Sequence, residues 1–285
     1  NQNGIFLLGP TLMEYGTDAQ KERFISAMAS GEEIWAQAWS EPNAGSDMAA
    51  IRCRADREGD EFVINGQKIW STRAVFADYA FGLFRTDPES SRHHGLSFIL
   101  VPLDAPGVTV RPIEQLNGLP GFAEIFFDNV RVSDFNLLGG ENQGWQIAMS
   151  TAGFERGLML RSPARFQQAS RKLVELYRKR RNDILDLSIE DSVVRCYMDA
   201  EAYALSTYQT ASRLVAGGHI GAESSCNKIF WSELDIRIHE TALSLLGARA
   251  EVEPETAEDH AELGTWLDGF LFSQSGPIYA GTNEI

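Results

Sequence analysis

A change of period constrains this chain more than any other feature. From Ile34 to Leu138 apolar residues recur at every second position, and after Gly139-Gly140 they recur at helical spacing. In the first stretch Asp60-Glu-Phe-Val-Ile-Asn-Gly66 reads as a strand running into an Asn-Gly hairpin turn. Further strands are expected over 79–84, 96–102, 108–113 and 123–132, with Pro or Gly between them. Short strands without intervening helices make a small barrel or sandwich, because parallel βαβ units need helical crossovers. Residues 145–181, 191–215 and 222–246 read as long helices, the second closed by Gly217-Gly218 and the third by Gly247. The acidic stretch 251–262 reads as an exposed loop and 265–272 as a short helix. Ahead of the strands, 4–30 is helical, with Thr17-Asp-Ala-Gln20 as a capping box and Gly31 as the stop. The expected fold is α+β and multidomain: a helical remnant over 1–33, a central β domain over 34–138 and a helical bundle over 139–285.

Composition narrows the function classes. A formal net charge of −15 is the wrong sign for a nucleic-acid partner. No apolar run approaches the roughly 20 residues of a membrane span, and no basic segment leads into an apolar one at the start. A cytoplasmic protein is expected. Cys53, Cys196 and Cys226 are odd in number and widely spaced, which disfavours a disulfide framework or a zinc knuckle. Asn1 opens inside a helical pattern and Ile285 ends inside a motif, so the chain reads as a piece of a longer protein.

Three segments carry candidate chemistry. Ser40-Glu-Pro-Asn-Ala-Gly-Ser-Asp47 is either a loop of turn formers or a ligand cradle, in which Gly45 admits backbone N–H groups and two serine hydroxyls donate. About 25 residues on, Gly66-Gln-Lys-Ile-Trp-Ser-Thr72 offers an aromatic ring and a hydroxyl two positions later. These suit the wall and hydrogen-bond partner of a flat heteroaromatic ring, though Trp70 read alone is a core tryptophan. The third segment is Pro277-Ile-Tyr-Ala-Gly-Thr-Asn-Glu-Ile285.

In this order and spacing, Ser-Glu-Pro-x-Ala-Gly-Ser-Asp, Asn-Gly-x-Lys-x-Trp-x-Thr and Tyr-x-Gly-Thr resemble the acyl-CoA dehydrogenase family over essentially the whole chain. The resemblance implies an FAD enzyme with an N-terminal helical domain, a central β domain and a C-terminal four-helix bundle. It further implies that Trp39, Ser40, Gly45 and Ser46 line the flavin, with Ser46 also facing the pantetheine of the acyl-CoA substrate. Trp70 covers the ring, Thr72 bonds near the N5 that accepts the hydride, and Thr282 and Glu284 touch FAD from the terminal turn. The thioester carbonyl is polarised by a flavin ribityl hydroxyl and by the backbone N–H at Ala280. An external electron-transfer flavoprotein takes the electrons.

One substitution moves the chemistry. Many relatives carry their catalytic glutamate where this chain has Ala280, and α-proton removal needs a carboxylate. Isovaleryl and long-chain types place it instead on the first long helix, directly before an arginine, as in Glu155-Arg156 here. Glu155 falls on the stripe of Trp145, Ala148, Ala152, Arg156, Met159 and Phe166, and Phe154, Leu158 and Leu160 make the other side apolar. Burial there would raise a carboxyl above its usual value of about 4.3, toward what a general base needs. Glu155 is thus the expected catalytic base and Arg156 a substrate contact. A solvated glutamate is the plainer reading of such a residue taken alone.

Homodimeric relatives often carry an Arg-x-x-Phe-Gly-type segment after this helix that reaches the neighbouring subunit's FAD. Here residues 178–186 read Arg-Lys-Arg-Arg-Asn-Asp-Ile-Leu-Asp. Its loss resembles heteromeric members, including those acting on steroid side chains, so a homo- or hetero-oligomer is expected. The rival function is a non-catalytic FAD- or partner-binding subunit, and an oxidase is a third possibility. His93-His94, His219, His239 and His260 lack metal-ligand spacing, no Ser-His-Asp arrangement stands out, and no Rossmann or P-loop string occurs.

Overall fold

The computed structural model describes residues 1–158, 162–182, 188–218, 221, 223–252 and 265–285, excepting the side chains of 155–158, 223 and 224. The chain forms two compact units, Asn1–Glu155 and Arg156–Ile285. The spans expected as helical remnant and β domain both lie in the first unit.

That unit opens on a π-helical turn, Gly4–Leu8, followed by α1 (Gly9–Tyr15) and α2 (Asp18–Ser30). The capping box forms as expected. The Gln20 amide N–H donates to Thr17 Oγ1, and the Thr17 amide N–H donates to Gln20 Oε1. Gly31 closes α2 at φ 82°. The strands are β1 (Trp35–Ala38), β2 (Arg54–Glu58), β3 (Glu61–Thr72), β4 (Tyr79–Arg85), β5 (Leu96–Pro102), β6 (Val108–Glu114), β7 (Pro120–Ser133) and β8 (Leu137–Leu138). They form one sheet in the order β6-β7-β3-β2-β4-β5-β8, with β1 joined to β4 in parallel. Phe84 of β4 meets Phe127 of β7 with ring centroids 5.6 Å apart, although two strands separate them in the sheet, so the sheet curls around a single core. Phe62, Ile64, Ile99, Val101, Ile125 and Val132 fill that core.

The Asn65-Gly66 pair does not turn the chain, contrary to expectation. Strand β3 runs straight through it, and the hairpin turn is Gly59-Asp60, between paired Glu58 and Glu61, with Gly59 at φ 67°. Asn65 has a different task. Its Oδ1 accepts from the backbone N–H of Asn129, where β7 carries one extra residue between Phe127 and Val130. Gly66 has φ 141°, and a Cβ there would stand 2.9 Å from the Cys53 Cα. Gly66→Ala is therefore expected to lower stability by about 1–3 kcal/mol in a urea titration, the typical cost of forced backbone strain.

After β8 comes α3 (Gly144–Leu158), whose buried face is Gly144, Ile147, Ala148 and Thr151. The Thr151 hydroxyl lies 2.9 Å from that of Thr11 in α1, both buried. The second unit contains α4 (Pro163–Arg180), α5 (Ser188–Val215), α6 (Glu223–Leu246) and α7 (Thr265–Ser273). Phe166, Tyr203, Trp231, Leu234 and Ile238 are central to its core. The single helix expected over 145–181 is in fact α3 and α4. Pro163 starts α4 where its missing N–H costs nothing, and the preceding Ser162 is pushed to ψ 114°, outside the helical region. Phe166 therefore does not continue the stripe of α3. The expected acidic loop 251–262 lies outside the described residues beyond Val252. Among the described residues no helix is long and apolar enough to cross a membrane.

Candidate active site

In the first unit the Ser40–Asp47 loop is fixed from beneath. Trp39 is buried edge-on against Phe81 and Phe98, at 6.3 and 6.4 Å. The Ser40 carbonyl accepts from Ile69 N–H at 2.9 Å, and Glu41 and Ala44 exchange backbone bonds at 3.0 Å. The Glu41 carboxylate then acts as a hub. It accepts from the backbone N–H groups of Arg52 and Cys53 at 2.7 and 2.8 Å, and from Lys68 Nζ at 2.9 Å. Lys68 is 0% exposed and also donates to the Trp39 carbonyl at 3.1 Å. Its Nζ lies 5.2 Å from the centroid of the Phe84 ring. One buried ion pair thus ties the loop to β3, leaving Gly45 and Ser46 exposed at its tip. The neighbouring Cys53 thiol is pushed up to about 12 by burial and stays an inert thiol.

Two positions past Lys68, β3 carries an extra residue relative to β7, between the pairs Lys68–Ile125 and Ser71–Ala123. The bulge puts Trp70 at φ 59°, unusual for an aromatic residue, and leaves it 58% exposed, edge-on to Phe122. Trp70 is therefore not a core tryptophan. The bulge also turns Ser71 inward and Thr72 outward. Among the described residues the hydroxyls of Ser46 and Thr72 have no protein partner, and the buried Trp39 Nε1 and Ser71 Oγ have none either. An outward indole, two open hydroxyls and an unpaired indole N–H fit a flat heteroaromatic ring rich in acceptors, as a flavin is.

In the second unit the terminal turn is closed by Asn283 N–H donating to the Pro277 carbonyl at 2.9 Å. Ala280 and Gly281 sit at φ 55° and 89°. Among the described residues the N–H groups of Ala280, Gly281 and Thr282 meet no acceptor, so three consecutive donors remain available to an oxyanion or phosphate. Thr282 is half-buried and its Oγ1 accepts from Glu284 N–H at 3.3 Å, with Glu284 exposed. Behind the turn, Lys228 Nζ donates to Asn283 Oδ1 at 2.8 Å and Asn283 Nδ2 donates to Ser232 Oγ at 3.1 Å.

Glu155 stands in the last turn of α3, four residues after the buried Thr151, with Arg156 beside it. Both side chains lie outside the described residues. The basic segment 178–186 is described only to Asn182, and Arg178 to Arg180 close α4, where cations suit the helix C-terminus. His93 packs on Trp145 at 4.4 Å, and among the described residues no cluster of His, Cys, Asp or Glu could hold a metal. Sequence reasoning passed over Glu41, Lys68, Lys228 and Asn283. A lysine at the inward parity of a strand, two steps beyond Gly66, and another within Lys-Ile-Phe-Trp on the core-facing side of an amphipathic helix were the available signals.

Residues 36–130 match the family model "Acyl-CoA dehydrogenase, middle domain", and residues 142–285 match "Acyl-CoA dehydrogenase, C-terminal domain". The chain is 37% identical over 289 residues to acyl-CoA dehydrogenase IpdE1 of Mycobacterium tuberculosis, covering 100% of this chain and 72% of that protein. Among solved structures it resembles the Tcur3481-Tcur3483 steroid ACAD, with TM-score 0.90 and 29% identity over 99% of this chain and 73% of that one. It also resembles the ChsE4-ChsE5 complex from Mycobacterium tuberculosis, with TM-score 0.87 and 30% identity over 99% of this chain and 74% of that one.

Proposed function

The chain belongs to the acyl-CoA dehydrogenase family, and from that premise we propose that Glu155 is the base that removes the α-proton of an acyl-CoA thioester, giving the trans-2-enoyl-CoA. The protein is an FAD-dependent oxidoreductase acting on CH–CH bonds. One observation carries the assignment of the base. The terminal turn presents backbone donors but an alanine at 280, so that position offers an oxyanion contact and no proton acceptor. The Glu155-Arg156 pair on α3 supplies the missing carboxylate. When bound, FAD supplies the hydride acceptor for the β-carbon. The other roles belong to the chain itself. Trp39, Ser40, Gly45, Ser46, Trp70 and Thr72 hold and orient the flavin, and Thr282 and Glu284 contact it from the turn. Ser46 and Arg156 bind substrate, and the Ala280 N–H polarises the thioester carbonyl. The functional division retained is 1–33, 34–138 and 139–285.

Thr72→Val is expected to keep the fold while weakening FAD retention or slowing flavin reduction, since one hydroxyl bond is worth about 1 kcal/mol net. Flavin content after gel filtration and the anaerobic reduction rate check it. Two unchanged values place Thr72 away from the flavin.

The steroid ACAD and the ChsE4-ChsE5 complex at 29–30% identity support assembly with a different chain and a bulky, steroid-type acyl group. An electron-transfer flavoprotein is the proposed acceptor, and a cytoplasmic setting agrees with three free cysteines. The second reading, a subunit that binds FAD or a partner without turnover, rests on Ala280 and the altered segment at 178–186. Anaerobic flavin reduction by wild type and Glu155→Gln tests the primary reading. Loss of reduction in the variant supports it, and equal rates remove Glu155 from the mechanism.

A further inference from the structure

Among the described residues Lys228 is a buried cation that no carboxylate compensates. It lies on α6, 4% exposed, and burial draws its pKa down to about 8 with no charged neighbour offsetting the shift. Its polar partner is the neutral Asn283 Oδ1 at 2.8 Å. Burying an ammonium without an anion opposes folding, so packing alone does not account for a lysine here. What the ammonium grips does account for it. Asn283 is the residue whose backbone N–H closes the terminal turn onto the Pro277 carbonyl, and its amide is held a second time by Ser232 Oγ at 3.1 Å. Between those closing points lie Ala280 and Gly281, both at positive φ, and the three N–H groups without acceptors. A left-handed alanine is a disfavoured conformer that the surrounding structure has to hold in place. Tyr279, directly before Ala280, packs its ring on Trp231 and Phe272 and anchors that side, while Ile278 and Glu284 are exposed, so the side after Gly281 depends on Asn283.

We propose that Lys228, acting through Asn283, is a positioning residue that locks the 277–285 turn so that the Ala280 N–H stays aimed at the substrate. The proposal rests on the reading that this N–H polarises the thioester carbonyl. A charged donor suits the task better than a neutral one, because bonds to charged groups are shorter and stronger. The tether lies within α6 and the turn, so it acts on the backbone donors and not on the base.

The test uses full-length, FAD-loaded protein and four variants. Lys228→Met keeps the stem volume and removes the charge, and Asn283→Leu removes the acceptor. The third variant combines both changes, and the fourth is Asn283→Asp. The first readout is hydrogen exchange at the Asn283 amide. It is expected to speed up about 10-fold or more in Lys228→Met and in Asn283→Leu, and no further in the double variant, because the two side chains form one interaction. Asn283→Asp, which keeps the acceptor and adds a counter-charge, is expected to hold exchange near the wild-type rate. Thermal stability of Lys228→Met is expected to stay level or rise, since a buried charge is lost. The second readout is flavin reduction by acyl-CoA, expected to fall about 10-fold or more in Lys228→Met with substrate affinity little changed, the pattern of a lost transition-state contact. Wild-type exchange in both single variants would overturn the tether. Faster exchange with an unchanged reduction rate would leave the tether standing and overturn the thioester reading, and with it the positioning role.

Discussion

Glu155→Gln, in the assembled full-length protein, is expected to bind acyl-CoA and perturb the flavin spectrum yet reduce flavin at least about 100-fold more slowly than wild type. Glutamine keeps the size and hydrogen-bonding reach of the side chain and removes only its capacity to accept a proton. Fold and FAD content should therefore stay near wild type, which separates lost chemistry from lost structure. Ala280→Glu added to that variant puts a carboxylate at the position where the family resemblance leads one to expect it. Partial recovery of reduction is the expected result, and it would show that both positions face one α-carbon. The φ of 55° at Ala280 matters here, because a longer side chain must take the same left-handed conformation. Rapid stopped-flow reduction in the single Glu155→Gln variant would assign the base elsewhere.

The second large effect is on stability. Glu41→Ala removes the partner of a lysine that is 0% exposed and strands the amide N–H groups of Arg52 and Cys53. Breaking a buried pair from one side costs about 3–5 kcal/mol, because the remaining charge is buried without compensation. Chemical denaturation should show that loss together with weaker FAD retention, since the same carboxylate fixes the loop carrying Gly45 and Ser46. Adding Lys68→Met to Glu41→Ala is expected to recover part of the stability. A double variant no more stable than Glu41→Ala would mean that the lost amide bonds, and not the stranded ammonium, dominate the cost.

The order of helices, strands and helices was legible because the change of period is long on both sides of Gly139-Gly140. The strands over 79–84, 96–102 and 108–113 were found within a residue or two, since each is bounded by Pro, Gly or charge. Bulges defeated the pattern elsewhere. The Asn65-Gly66 pair carries the local signature of a hairpin, but the extra residue on β7 and the contact of Gly66 with Cys53 give it a place inside a long strand. Pro163 was visible in the sequence and should have divided the helix expected over 145–181. For the site, the motifs named the residues that face outward, Ser46, Trp70 and Thr72. Those that hold them, Glu41 and Lys68, lie inside the same motifs, but their pairing depends on two segments meeting in space. Lys228 and Asn283 are 55 positions apart and meet only once α6 and the terminal turn have folded together.

The proposed activity is α,β-dehydrogenation carried out with this chain's own residues. Its most direct test is anaerobic mixing of the purified, FAD-loaded full-length assembly with short, branched, long and steroid-side-chain acyl-CoA thioesters, following the visible flavin absorbance and the product. At least one thioester should bleach the flavin and yield its 2-enoyl form. The reduced flavin should then reoxidise with an electron-transfer flavoprotein and only slowly with oxygen. Rapid reoxidation by oxygen would make the protein an oxidase. A flavin that stays oxidised with every thioester would contradict the account and leave a subunit that binds without turning over.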